Sequence, residues 1–349
     1  MTLNPQLLRE ARQARGLSQV ALAEQSGLSQ SKISKLESGH LKPSGDDVEV
    51  LASALRVTSD FFSWSDTVHG LGTASYYHRK QKSLRVTQLE QIEAEVNLLA
   101  MRMRRLLASI DVSPTLELPD LDPDAVGTAS EAAQRLRALW RVPMGPVSNM
   151  VRFVESAGVL VTRSDFGTHR IDAISVWFPG LLPLMVLNSG LAPERERFVI
   201  AHEVAHLTMH ENRPPREDAE KEADSFAEEF LMPGRELSPQ LRDLNVERAV
   251  ALKNYWGVQT QAVVMRAQTL GTISPGRARS LFAYMNKLGY LRHEPVPIPR
   301  EEPAFLTSLP RLHLDQLGYT LEELAAYLAM LPEDVPQLLP HQPALRVVR

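Results

Sequence analysis

Two histidines four residues apart, His202 and His206, with Glu203 directly after the first, are suited to holding a divalent metal ion beside a carboxylate that moves protons. On an α-helix, residues four apart lie one above the other on the same face, so both imidazoles can reach one cation. Glu203 lies about 100° round the helix from His202, close enough to reach a water held by that metal. Together these residues point to metal-assisted hydrolysis of a peptide bond.

The elements around the pattern must supply that geometry. The stretch 194–210 contains neither Gly nor Pro, and Phe198, Ala201, Val204, Ala205 and Leu207 form an apolar stripe at helical spacing. Pro193 suits the first helical position, and Glu194 and Glu196 favour the positive end of the helix dipole. Two histidines leave a catalytic zinc one protein ligand short. The chain has no cysteine, so the metal must be held by His and carboxylates. A second helix is expected at about 217–231, ended by Pro233, and it carries Glu217, Asp218, Glu220, Glu222, Asp224, Glu228 and Glu229. Glu220 and Asp224 share a face with the small residues Ala223 and Ala227, which let this helix approach the first closely. Glu220 as the third ligand and Asp224 as a hydrogen-bond partner of a ligand histidine fit best.

The segments RFVIAHEVAHLTMH and EKEADSFAEEFLMP, with PLMVLN before them and YWGVQTQAVVMRAQTLG after, make the region 128–290 resemble the ImmA/IrrE family of gluzincin-type zinc peptidases. The resemblance implies zinc, with Mn2+ as a possible substitute, held by His202, His206 and Glu220, and Glu203 as the catalytic base. It also implies that the strand 184–187 is the edge that aligns an extended substrate. An oxyanion stabiliser is required as well, for which His210, Tyr255 and Arg266 are candidates. Met265 stands where relatives often carry a Tyr beside the equivalent of Arg266, which bears on any inherited role there.

The N-terminal region follows a different pattern. Asn4, Ser18 and Ser29 stand as N-caps before short apolar-periodic stretches, Gly27 suits a turn, and Gly39 ends the third helix. LSQVALAEQSGLSQSKISKLESG makes residues 7–62 resemble the Xre/Cro type of helix-turn-helix. In that geometry the second motif helix enters the major groove. Gln30, Ser31, Lys32 and Lys35 then face bases, Gln19 with nearby backbone amides holds phosphates, and Ser29 joins the DNA-binding set. Residues 1–45 carry six basic and three acidic side chains, a modest excess suited to binding as a dimer.

Between the two regions, Leu89, Ile92, Val96, Leu99, Met103, Leu106 and Ile110 form a heptad seam over 89–110. The spacing suits either a dimerising coiled coil or a connecting helix docked on its own domain. Arg79, Lys80, Lys82 and Arg85 precede it, as either phosphate contacts or solvated surface. An acidic, Pro-rich stretch at 114–127 reads as a linker, and a second Pro-rich joint spans 293–303. The domain plan is therefore 1–65 helix-turn-helix, 66–127 linker with the heptad helix, 128–290 peptidase, and 291–349 joint and helical appendage. In fold class this is a mainly α, multidomain chain: an all-α domain followed by an α+β zincin-like domain with a small sheet.

With 349 residues, a formal charge of −4 and no apolar run of membrane length, the sequence is expected to be cytoplasmic, without membrane span or signal peptide. The reading is a DNA-binding, homodimeric regulator with a zinc endopeptidase that cleaves an Xre-type repressor, or itself, in a stress, DNA-damage or mobile-element response. Two alternatives stay open: a proteolytically silent factor sensing a ligand, metal or partner, and a peptidase switched on by DNA.

Overall fold

The computed structural model describes residues 3–70, 85–211 and 213–338. By contacts the chain divides into two units, one of residues 1–113, 178–181 and 304–349, the other of 114–177 and 182–303. The basic residues Arg79, Lys80 and Lys82 lie outside the described residues.

The first unit begins with four short helices, α1 (Pro5–Ala14), α2 (Gln19–Ser26), α3 (Gln30–Glu37) and α4 (Gly45–Leu55). Asn4, Ser18, Ser29 and Ser44 each accept a hydrogen bond from the first turn of the helix they precede, supplying acceptors to amides that have none inside the helix. Gly27 takes a left-handed φ of 72°, turning α2 into α3 at little steric cost. Leu7, Leu8, Leu22, Ile33, Leu36, Leu51 and Phe61 are all fully buried between these helices. Glu37 ties three of them together: it accepts from Arg12 Nε and Nη2 at 2.5 and 3.0 Å and from Gln19 Nε2 at 2.9 Å.

Helix α5 (Val86–Leu107) packs against α1. Its heptad residues Leu89, Ile92, Val96, Met103 and Leu106 are buried within this chain. The seam is thus the face by which α5 docks on its own unit, and the dimerising coiled coil is corrected: heptad spacing marks an apolar stripe without saying whose chain covers it. The C-terminal helices Phe305–Asp315 and Leu321–Tyr327 join this same unit. The Tyr327 hydroxyl donates to the carbonyl of Arg105 at 2.9 Å, and Arg56 pairs with Asp334 at 2.7 Å.

The second unit contains α6 (Ala129–Leu139), α7 (Met150–Ser156), strands β1 (Leu160–Ser164), β2 (Ala173–Val176) and β3 (Leu184–Asn188), then α8 (Pro193–Ala205) and α9 (Ala219–Leu231). Helices α10 (Val246–Trp256), α11 (Thr260–Thr269) and α12 (Pro275–Lys287) complete it. The sheet order among the described residues is β1-β3-β2, with β3 parallel to β1 and antiparallel to β2. The strand expected to be an edge is therefore central, and β2 is the edge beside α8. All five residues of β3 are buried, as in a strand covered on both faces.

Both Pro-rich stretches pack against this unit. In the first, the Leu121 amide donates to the Thr208 carbonyl at 2.8 Å and Trp140 Nε1 donates to the Glu117 carbonyl at 2.8 Å. In the second, Glu294 accepts from the Thr260 amide at 3.0 Å, Ile298 N donates to Glu194 at 2.9 Å, and Arg300 pairs with Glu196 at 2.8 Å. Glu194 and Glu196, read from sequence as dipole partners, are buried instead in ion pairs, Glu194 with the fully buried Lys253 at 2.7 Å.

Candidate metal centre and nucleic-acid interface

Helix α8 starts with Pro193 at its first turn and carries Ala201, Val204 and Ala205 into the core without exposure. Its C-terminal continuation, His206–His210, is one turn of π-helix, closed by the Glu211 amide donating to the His206 carbonyl at 2.9 Å. Such turns recur at functional sites. Helix α9 lies close alongside, with Ala223 and Ala227 fully buried at the contact. These small residues bring the carboxylates of α9 against the histidines of α8.

His202, His206 and Glu220 converge, each offering one ligand atom within 4.8 Å of the others. The two Nε2 atoms are 3.1 Å apart, and Glu220 lies 3.7 Å from His202 Nε2 and 3.3 Å from His206 Nε2. The far side of each ring is also engaged. Asp224 Oδ1 sits 3.0 Å from His202 Nδ1. His206 Nδ1 is 3.0 Å from His210 Nδ1, and His210 Nε2 is 3.0 Å from Glu222 Oε2.

These contacts fix the tautomers. Asp224 and Glu222 are acceptors, so His202 carries its proton on Nδ1 and His210 carries its proton on Nε2. His210 Nδ1 then accepts from His206 Nδ1–H. The two Nε2 atoms face each other beside the Glu220 carboxylate, so a proton on His202 or a metal ion can bridge the three groups. The donor set, two imidazoles and one carboxylate, suits zinc.

Burial works against charge on His202, but the Asp224 hydrogen bond and the carboxylates of Glu203, Asp224 and Glu220 outweigh it and hold the imidazole above its usual range. His210 goes the other way. Burial, reinforced by the nearby charges of His206, Arg216 and His202, pulls it down to about 3, so it stays neutral.

Glu203 is 8% exposed and accepts a hydrogen bond from the Ser175 hydroxyl at 2.5 Å. Ser175 belongs to β2, so the edge strand and the carboxylate are fixed to each other. No motif pointed to Ser175, which lies 27 residues before His202 and meets Glu203 through tertiary packing. Glu222 and the link from His210 were legible only as a third histidine one further turn along the same face.

The three oxyanion candidates are placed differently. His210 is buried with both ring nitrogens occupied, behind His206. Arg266 is buried against Glu228, Glu229 and the Met232 carbonyl. Tyr255 is 55% exposed, its hydroxyl close to Gly145. The structure does not bring Tyr255 or Arg266 into the His202, His206 and Glu220 cluster.

In the helix-turn-helix, Ser29, Gln30, Ser31 and Lys35 are exposed at and along α3. Ser29 caps α3 by accepting from the Lys32 amide. Gln30 Nε2 donates to Gln19 Oε1 at 2.8 Å, a fixed pair at the start of both motif helices. Lys32 turns towards α4 and pairs with Asp47 at 2.6 Å. Although burial disfavours charge on Asp47, the bonds from Lys32 and Ser44 prevail and hold its carboxyl below the usual range.

Residues 154–268 match the family profile of the IrrE N-terminal-like domain, a peptidase family, and residues 8–62 match that of the helix-turn-helix. No curated protein matches the chain. The chain thus joins a helix-turn-helix domain, which implies DNA binding, to a metallopeptidase-type domain, as the two sets of motifs led one to expect.

Proposed function

We propose that the chain is a DNA-binding transcriptional regulator, cytoplasmic and homodimeric, whose second unit is a zinc-dependent endopeptidase. Its proposed substrate is an Xre-type repressor, or this chain's own N-terminal unit, in a stress, DNA-damage or mobile-element response. The observation that carries the reading is the convergence of His202, His206 and Glu220 with each histidine backed by its own partner. Dimerisation would use a surface other than the buried seam of α5.

His202, His206 and Glu220 would hold the metal. Zinc, when bound, supplies a Lewis acid for the scissile carbonyl and a water of lowered pKa. Glu203 takes a proton at its carboxylate and returns it to the leaving amine, while Ser175 holds that carboxylate in place. Asp224 orients His202, and Glu222 orients His206 through His210. An extended substrate pairs along the outer edge of β2.

Purified protein loaded with zinc or manganese is expected to cut a repressor, or itself, into discrete fragments. Glu203→Gln should abolish the cut while keeping the metal, lowering the rate by at least about 100-fold. A fragment that persists in this variant overturns the assignment. DNA binding that responds to metal in a wild-type protein that cuts nothing points to the silent regulator, and cleavage with and without DNA tests whether DNA switches the peptidase on.

A further inference from the structure

Beside the metal ligands lies a pocket of about 400 Å³. Its lining comes from the turn that follows His206 and from the end of the strand that carries Ser175. Trp177, directly after the last residue of β2 and two residues beyond Ser175, lines the pocket. Leu207 is the neighbour of His206, and Glu211 follows one turn later. Leu118 adds a further apolar wall. Trp177 is 41% exposed, an unusually open position for so large a ring.

The charges in this pocket do not balance. Arg213 pairs with Asp120 and lies 3.7 Å from Asp122, and it also donates to the carbonyl of Met209 at 3.1 Å. Its cation is spent on the 120–124 stretch. Glu211 is half-buried; His206 lies within electrostatic reach of it, but its carboxylate makes no ion pair or side-chain hydrogen bond among the described residues. A partly desolvated carboxylate in a pocket that also holds an indole and aliphatic side chains matches a long stem ending in a cation.

We infer that this pocket receives a lysine or arginine side chain of the substrate, with Glu211 as its counter-charge and Trp177 as the surface on which its stem lies. The inference rests on the peptidase reading and names the substrate class of that same site. Glu211 and Trp177 act on selection. Neither holds the metal nor moves the proton.

Two measurements on the full chain test it. The first needs no catalysis: arginine amide and leucine amide are titrated while tryptophan fluorescence is followed, with Trp177→Phe identifying the responding ring. Arginine amide should bind about tenfold tighter than leucine amide, and Glu211→Gln should erase that preference. Equal or tighter binding of leucine amide, a preference that survives Glu211→Gln, or no response to either amide overturns the inference.

The second is cleavage of a mixed peptide library by the zinc-loaded protein. Lys and Arg should be enriched at one position beside the cut, and Glu211→Gln should lower kcat/KM for those peptides about tenfold while sparing neutral ones. Cuts with no basic preference overturn the inference. An intact arginine preference in the amide titration with no cleavage at all overturns the peptidase reading and leaves the pocket assigned.

Discussion

Glu37 in the helix-turn-helix and Glu220 in the peptidase-type unit are both carboxylates facing side chains of a neighbouring helix, yet they do opposite work. Around Glu37 every contact is donor to acceptor: Arg12 and Gln19 bring N–H groups and the carboxylate receives them. Around Glu220 stand the Nε2 atoms of two imidazoles, each ring bonded at its far nitrogen to Asp224 or His210. A cluster of matched donors and acceptors holds a fold together, whereas ring nitrogens and a carboxylate that converge on one point offer a place for a cation, a proton or a metal ion. The difference separates a structural polar group from a functional one without reference to where either sits.

Substituting each cluster in turn should break or sharpen that contrast. The largest effect is expected at the metal ligands. His206→Ala or Glu220→Ala should lower zinc affinity by more than about 100-fold by equilibrium dialysis. Without metal, the stability of Glu220→Ala should fall by less than about 1 kcal/mol, because the Glu220 side chain is 44% exposed. At the matched cluster, Glu37→Ala leaves the half-buried Arg12 without its carboxylate partner. It should cost about 3 kcal/mol in denaturant unfolding and leave zinc binding untouched. A stability loss in Glu220→Ala as large as that in Glu37→Ala would erase the distinction.

The next effect lies one contact further from the metal. His210→Phe keeps the volume and burial of the ring but removes the acceptor that fixes the tautomer of His206. Zinc affinity should fall about 10- to 100-fold, with Glu222→Gln following in the same direction. Wild-type affinity in His210→Phe would mean that the third histidine only fills space.

How far these roles were legible depended on the range over which each is encoded. The ligand pair is local, four residues on one helix, and its spacing declared the chemistry. Glu220 and Asp224 followed from the small residues Ala223 and Ala227, whose spacing alone marks a close helix contact. Ser175 reaches Glu203 only through packing of β2 on α8, and no sequence spacing encodes that contact. The unbroken apolar run of β3 carried the sign of a central strand, which the resemblance to an edge strand overrode. The seam of α5 was read correctly as a stripe, but its partner was this chain.

Two buried groups, Glu10 and His210, should answer pH in opposite senses. Glu10 on α1 is buried, with Oε2 lacking a hydrogen-bond partner. Burial first, and then Glu93, push its carboxyl up to about 7 against the opposing pull of Arg9 and Asn97. The folded unit therefore keeps a proton that the unfolded chain releases from about pH 4.5 upward. Stability from Glu10 is full below that point and is lost as pH rises through about 7. His210, neutral in the metal-free fold down to about 3, gives the reverse: stability falls as pH drops from about 6.5, where the unfolded ring takes up a proton. Glu10→Gln, which mimics the protonated form, should leave unfolding at pH 5 nearly unchanged and stabilise the protein by about 2 kcal/mol at pH 8. Equal effects at both pH values would show that the side chain is not titrating in the fold.

The smallest effect separates two lysines that sequence alone treated alike. Both stand on α3, and both are spaced to face a major groove. Lys32 is held by Asp47, so contacting a phosphate or base would mean giving up a 2.6 Å ion pair, whereas Lys35 is exposed. Lys35→Ala should therefore weaken DNA binding and reduce the slope of log affinity against log salt by about 1. Lys32→Ala should change that slope much less, and its main result should be a loss of at most about 1 kcal/mol in stability, because the pair is partly solvated. The two substitutions then divide on the same line as Glu37 and Glu220: a partner already found within the fold removes a side chain from the work of recognition. Equal salt slopes for both variants would mean that DNA competes successfully with Asp47 and that the resting pair says nothing about the bound state.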